Sequence, residues 1–381
     1  MASRGQQFVF SVRELSGALG DLGTLLPLML GAIAVAGLAP APVLLGFGLF
    51  YLATAIHYRL PIPVQPMKAV VAVMLTTEIS PATLASSGVL IGLTLLVLGL
   101  TGWISWLARL VPQSVLAGLQ LGLGLALALV SLDLMATQPV VAAVTAGSLV
   151  ALLFLPRYPS AIIALTVALV LGYLLGAPGI ELANATSVSI PVPSLPTFDE
   201  VERALSVLVL PQLPLTFTNA ILLTALVAGD YFEDRAKHVT PARLSLTSGL
   251  ANLLLTPFGA LPMCHGAGGL AAHYRFGART GAAPLSLGLV LIAAAFLPGA
   301  GGLAVLAAIP VAGLGALLLI ASGELALTKR LFDSKPSCWP VIATTAAVTL
   351  WADPFWGLLA GSGAELVRMV AVRAFRREAK S

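Results

Sequence analysis

The sequence predicts an all-α polytopic membrane protein of fourteen transmembrane spans, built as two inverted seven-span repeats. Three observations carry this. The 381-residue chain is 58% hydrophobic and 9% charged, with a mean hydropathy of +0.99, whereas a soluble domain is about 45–50% apolar and about 25% charged. Apolar runs recur along its whole length and leave almost nothing for a soluble domain. Its basic residues fall on alternate connections. Such a composition excludes a disordered chain, a disulfide scaffold and a nucleic-acid-binding domain, in spite of a pI near 9.3.

At about 20 residues per spanning helix the length allows at most about 19 spans. Runs separated by charges or Pro/Gly breaks predict spans at 17–36, 42–57, 66–77, 83–104, 112–132, 138–155 and 159–176, then 207–229, 240–255, 263–273, 282–298, 302–321, 337–352 and 355–372. The third and tenth are too short to cross about 30 Å as continuous helices. With the N-terminus in the cytoplasm and the sides alternating, 18 of the 20 Lys and Arg residues fall on cytoplasmic segments. Outside, only Arg203 remains, amid Glu181, Asp199, Glu200 and Glu202, and Lys68 is left at membrane depth. This positive-inside bias supports the count of fourteen and puts both termini in the cytoplasm of a multi-pass plasma-membrane protein. The short start from Met1 to Arg13 has no signal-peptide cleavage pattern. Cys264 and Cys338 read as free thiols rather than a disulfide framework.

The one long polar connection lies at mid-chain and predicts an extracytoplasmic linker, 179–205. It separates a first repeat, 16–178, from a second, 206–373, with a cytoplasmic N-terminus, 1–15, and tail, 374–381. The halves echo each other: Pro61-Ile-Pro-Val-Gln-Pro-Met-Lys68 breaks span three, and Ala260-Leu-Pro-Met-Cys-His-Gly266 breaks span ten. Seven spans per half is odd, so the second half inserts upside down. Short, Pro/Gly-broken spans at matching places in inverted halves point to a secondary transporter's binding site.

Pro61, Pro63 and Pro66 cannot share one regular helix, because each lacks an N–H and clashes one turn back. An extended segment over 61–65 and a half-helix from near Pro66 are expected. In span ten, Leu261 to Cys264 is expected to be extended and the helix to begin around His265-Gly-Ala-Gly-Gly269. Two half-helices entering from opposite sides aim their N-termini at one midplane spot, each with unpaired N–H groups and about half a positive charge. With Lys68 the sum is about +2, which suits a small divalent anion at the helix ends. A lysine at membrane depth costs about 3 kcal/mol on insertion scales, so its presence points to use. The bland alternative is snorkelling or a salt bridge to Asp21. His265 reads as a donor to substrate or as a histidine satisfied by backbone, and Cys264 as part of the same wall or as a small buried hydrophobe.

Asp21 lies inside apolar span one, in Gly20-Asp-Leu-Gly-Thr24. An intramembrane acid suggests a proton carrier or the holder of Lys68, with a structural hydrogen bond as the alternative. Thr24 lies one turn on. In span eight, Gln212, Thr216 and Asn219 recur at helical spacing as one polar stripe, either facing the cavity or joining helices. No enzyme is expected: adjacent Cys264 and His265 diverge, the histidines lack metal-ligand spacing, and no Walker A sequence is present. No cofactor or metal is called for.

Leu15-Ser-Gly-Ala-Leu-Gly-Asp-Leu-Gly-Thr24, the span-three and span-ten motifs, Gln212-Leu-Pro-Leu-Thr216 and the continuation to Arg279 resemble the molybdate transporter family of plants and bacteria. That family is a branch related to the sulfate permeases, and the resemblance runs along nearly the whole chain. It implies a core of spans 1–4 and 8–11 (16–104 and 206–298) and a gate of spans 5–7 and 12–14 (110–176 and 302–373). It also implies high-affinity molybdate uptake at a site between the half-helices. Many sulfate permeases carry a C-terminal regulatory domain; the chain stops at Ser381, so regulation through one is expected to be absent. Related nucleobase permeases use acids in spans eight and ten, where this chain has Gln212, Asn219 and His265.

The expected function is molybdate import by an elevator-like movement of core against gate. Gln65, Met67 and Lys68 form one wall, Cys264, His265, Gly266 and Ala267 the other, and Thr24, Gln212, Thr216 and Asn219 complete the cavity. Asp21 is the coupling or structural acid. The expected partners are molybdate, with tungstate and sulfate as similar tetrahedral dianions, the lipid bilayer and a homodimer mate, but no nucleic acid. A proton is the expected coupling ion, with sodium symport and uniport left open. A sulfate or other oxyanion transporter, a nucleobase-type permease, a passive anion channel and an intramembrane enzyme stand as alternatives.

Overall fold

The computed structural model describes residues 8–75, 77–155, 158–176, 193, 195–297 and 301–378. Residues 179–192 and 194 of the predicted linker, 1–7 of the N-terminal segment and 379–381 of the tail lie outside the described residues.

The first half runs α1 (Val12–Gly20), α2 (Leu22–Ala36), α3 (Pro40–Tyr58), β1 (Gln65–Pro66), α4 (Lys68–Met74), α5 (Pro81–Thr101), α6 (Trp103–Arg109), α7 (Gln113–Ala136), α8 (Pro139–Leu153) and α9 (Ser160–Leu174). The second runs α10 (Phe198–Ala236), α11 (Pro241–Leu255), β2 (Met263–Cys264), α12 (Ala267–Arg275), α13 (Ala282–Phe296), α14 (Gly301–Ala307), α15 (Val311–Ala326), α16 (Lys329–Phe332), α17 (Trp339–Trp351) and α18 (Pro354–Glu378). Local chemistry sets the starts. Pro40, Pro81, Pro139 and Pro241 open helices where a missing N–H does no harm. The Ser80 hydroxyl caps α5 by accepting from Thr83 N–H at 3.1 Å. Thr197 and Glu200 form a capping box at the head of α10.

By length and apolarity, four of the described helices can each cross a membrane, α3, α5, α7 and α10. The α1–α2 pair qualifies as a fifth, bent by 49°. Helices pack closely where small residues face each other. A Cβ on Gly92 of α5 would sit 2.9 Å from the Gly249 carbonyl of α11, so those two backbones touch.

The structure departs from the sequence reading in several places. The run at 17–36 is not one helix: it begins at Val12 and breaks at Asp21, whose carboxyl thereby leaves the helix line. The half-helix expected from Pro66 begins at Lys68, because Pro66 sits in β1, where a residue without an N–H is tolerated at an edge. The one expected from His265 begins at Ala267, after extended Gly266. The span expected at 207–229 starts at Phe198, inside the predicted linker, and contains π-helical stretches at Ala204–Val209 and Thr216–Leu223. Pro310 divides the run at 302–321 into α14 and α15.

The two broken spans meet. β1 and β2 pair antiparallel, Gln65 opposite Cys264 and Pro66 opposite Met263, and Met67 N–H donates to the Pro262 carbonyl at 3.0 Å. The ladder satisfies backbone groups that would otherwise be stranded away from water. Elsewhere α15 is tied to α12 by Arg275–Glu324 at 3.5 Å, and α16 to α10 by Arg330–Asp230 at 2.6 Å. Both pairs join the segments expected to be core to those expected to be gate.

Candidate functional site

The break at Asp21 delivers its carboxylate, with no exposed surface, to the end of β1. Oδ1 accepts from the Thr24 hydroxyl and from Gln65 Nε2 at 2.6 Å, and Oδ2 accepts from the Tyr51 hydroxyl at 3.0 Å. Gln65 Nε2 also donates to Thr24 Oγ1 at 2.7 Å, closing a triangle of three side chains. A carboxylate is acceptor-only when ionised, and this arrangement supplies three donors. The triangle lies against α12: a Cβ on Gly269 would sit 2.5 Å from both Asp21 Oδ1 and Gln65 Nε2. Lys68 forms no direct ion pair with Asp21 among the described residues, and the two are within electrostatic reach of each other.

Lys68 opens α4, half-buried, within electrostatic reach of Asp21 and Cys264. The neighbouring N–H groups are already engaged: Gln212 Oε1 of α10 accepts from Ala69 N–H at 2.9 Å and Val70 N–H at 3.4 Å. Those donors were expected to be open to an anion, so this is a correction. The long α10 passes beside α4, and its amide satisfies donors that the non-polar cap Met67 cannot. Gln212 Nε2 in turn donates to Thr216 Oγ1 at 2.8 Å. Asn219 lies in the π-helical stretch, and its buried Oδ1 has no partner among the described residues.

On the other wall, Cys264 is buried in β2, and Gly266 and Ala267 lead into α12, whose first turn no side chain caps among the described residues. His265 follows the second of its two readings, a histidine satisfied by backbone. Its Nδ1 donates to the Pro63 carbonyl at 2.9 Å, and its Nε2 accepts from Thr247 Oγ1 at 2.8 Å, so both ring nitrogens are occupied by protein. The ring packs against Phe50 and Tyr58, with centroids 5.1 and 5.8 Å away. The imidazole therefore fastens the extended segment of span three to α11 and faces no open space.

Four residues essential to this arrangement were not singled out. Tyr51 completes the Asp21 shell. Thr247 fixes His265. Asn252 of α11 grips Met263 on both its N–H and carbonyl, at 3.0 and 2.6 Å. His273 of α12 is fully buried, with no hydrogen bond on either nitrogen among the described residues. A lone Asn in Leu250-Ala-Asn-Leu253, and an ionisable His two turns along a broken span, were the available signals.

This architecture is the fold of two solved membrane transport proteins. The transmembrane domain of a cyanobacterium bicarbonate transporter, BicA, matches at a TM-score of 0.61 and 19% identity over 91% of this chain and 96% of that one. The murine solute carrier 26 family member A9 anion transporter in the inward-facing state matches at 0.61 and 15% identity, over 95% and 68%. Likeness at this distance carries the fold alone.

The chain belongs to the molybdate transporter family: the profile described as "Molybdate transporter of MFS superfamily" matches residues 13–127 and 204–325. Molybdate transporter 2 of Arabidopsis thaliana is 29% identical over 88% of this chain and 82% of its own length. Molybdate transporter 1 of the same plant is 29% identical over 93% and 87%. Molybdate transporter 1 of Chlamydomonas reinhardtii is 26% identical over 95% and 91%. These relatives are transporters, not enzymes. The family description carries the MFS name, yet the fold is the one shared with solute carrier 26, the sulfate permease-like branch expected from the sequence.

Proposed function

We propose that the protein is a secondary transporter that imports molybdate across the plasma membrane by alternating access. It would have fourteen spans in two inverted repeats, both termini in the cytoplasm, and a core (16–104 and 206–298) that moves against a gate (110–176 and 302–373). A proton is the coupling ion in this reading, and no chemical bond of the substrate is broken. The observation that carries it is the ladder between Gln65 and Cys264. It joins the two breaks from which α4 and α12 start, and Lys68 at the start of α4 is in no ion pair among the described residues. The family membership supports molybdate as the anion.

The dianion would sit against Lys68 and the uncapped first turn of α12 at Gly266 and Ala267, bounded by Met67 and Cys264. Gln65 and Thr24 would shape the floor through Asp21, and Gln212 and Thr216 would face it from α10. His265 would hold the extended segment in place rather than contact the ion.

The test is calorimetric titration of purified protein with molybdate, tungstate, sulfate and uracil in matched buffer. Micromolar or tighter binding of molybdate with weak sulfate binding is the expected result. Binding of uracil alone would overturn the anion reading.

A further inference from the structure

We propose that Asp21 and His273 together form a buried proton site whose occupancy is linked to anion binding; this rests on the anion-transport reading above. His273 lies on the same face of α12 as Gly269, one turn further on, and Asp21 packs across that face. The imidazole has no exposed surface, and neither nitrogen has a hydrogen bond among the described residues. Leaving buried polar atoms unpaired is destabilising, so an orphaned ring needs an explanation. Its Nε2 lies 3.9 Å from Asp21 Oδ2. An ionised carboxylate offers about four acceptor positions. Thr24 and Gln65 occupy two on Oδ1 and Tyr51 one on Oδ2, which leaves a position on the side of His273.

The gap is about 1 Å longer than a hydrogen bond. A proton shared by the pair turns it into a charge-assisted Nε2–H···Oδ2 contact and draws α12 toward the break between α1 and α2. Because α12 begins at the anion wall, and Asp21 is bonded to Gln65 of β1, that movement is transmitted to the site. Proton and dianion then favour each other: the added positive charge lies under the anion, and the coupling is reciprocal.

Other ionisable groups around α12 have their own contacts. Glu14 of α1 accepts from Arg279 N–H at 2.9 Å. Glu324 of α15 faces Arg275, Asp230 of α10 pairs with Arg330, and Tyr231 of α10 stacks on Tyr274. Asp133 of α7 is exposed at the far end of that helix. Lys68 and Tyr51 lie on the Asp21 side. Asp21 is the only carboxylate within 4.0 Å of His273 among the described residues.

The experiment counts protons taken up when molybdate binds, by calorimetry of the full chain in two buffers of different ionisation enthalpy. Wild-type protein is expected to take up a proton with the anion and to bind more weakly as pH rises. His273→Gln and Asp21→Asn are expected to lose the uptake, a readout that a purely structural role does not move. Wild-type molybdate binding without proton uptake, or uptake unchanged in His273→Gln, overturns the proton site. Absence of molybdate binding by the wild type overturns the anion reading instead. If neither variant folds, His273→Asn serves as the second variant: loss of the uptake in it supports the site, and uptake unchanged in it overturns it.

Discussion

Asn252 acts as a strand partner for Met263: its Oδ1 accepts from the Met263 N–H at 3.0 Å and its Nδ2 donates to the Met263 carbonyl at 2.6 Å. One side chain thus supplies the pair of bonds that a third strand would otherwise provide. It fixes β2 to α11, and through β2 it fixes β1.

Asn252→Ala is therefore expected to destabilise strongly. Each of the two backbone groups left unpaired costs about 1–3 kcal/mol. Thermal unfolding in detergent reads the loss, and molybdate binding is expected to weaken with it. An unchanged melting temperature would mean that the β1–β2 ladder holds without this clamp.

Adjacent glycines in α12 are expected to respond differently to alanine. At Gly269 the new methyl would sit 2.5 Å from Asp21 Oδ1 and Gln65 Nε2, inside a network that cannot yield without breaking. At Gly268 it would sit 2.6 Å from Cδ1 of Leu127, the far end of a flexible side chain. Gly269→Ala is expected to abolish molybdate binding, and Gly268→Ala to reduce it far less. Equal effects would indicate that the triangle is not part of the site.

Lys68→Ala removes the positive charge at the start of α4. Anion binding is expected to be lost while the folded protein keeps its melting temperature. Unchanged affinity in the same titration would remove the charge-matching argument.

Gln212→Glu separates the capping role from the anion role. The carboxylate can still accept from Ala69 and Val70, and an acid suits a helix N-terminus. It also places a negative charge where a dianion is expected. Stability is expected to hold while molybdate affinity falls tenfold or more, about 1.4 kcal/mol. A fall in stability with unchanged affinity would make Gln212 a structural cap alone.

The pairs Arg275–Glu324 and Asp230–Arg330 must open if core moves against gate. Part-exposed pairs contribute about 0.2–1 kcal/mol each. Glu324→Gln is thus expected to change the transport rate by up to about fivefold with little change in affinity. Rates in reconstituted vesicles and affinity in detergent provide the two readings.

The sequence made the broken spans legible because proline and glycine act locally. Pro61, Pro63 and Pro66 forbid a helix whatever surrounds them, and the Gly-rich stretch after Pro262 marks the second break. Asp21 and Gln212 stood out because a polar group in an apolar run is costly. Hidden were the features that depend on a partner far along the chain. The ring of His265 is aimed by Thr247 and Pro63, neither of which announces that pairing. Next to the bend at Asp21, Gly20 packs against Phe276 and the Ala272 carbonyl, a contact far along the chain. The π-helical stretches of α10, one of which holds Asn219, had no signal in the regular spacing either.

The ladder between β1 and β2 also dictates an order of assembly. Residue 65 leaves the ribosome long before residue 264, and until the later segment arrives the stretch around Gln65 has no strand to pair with. Its unpaired backbone groups cannot rest in lipid. The first half of the protein must therefore wait, shielded by its own neighbouring helices or held near the membrane surface, and the ladder closes only when the second half is inserted. A nascent chain interrupted before α11 is left with an open seam, and that is where quality-control proteases would find it.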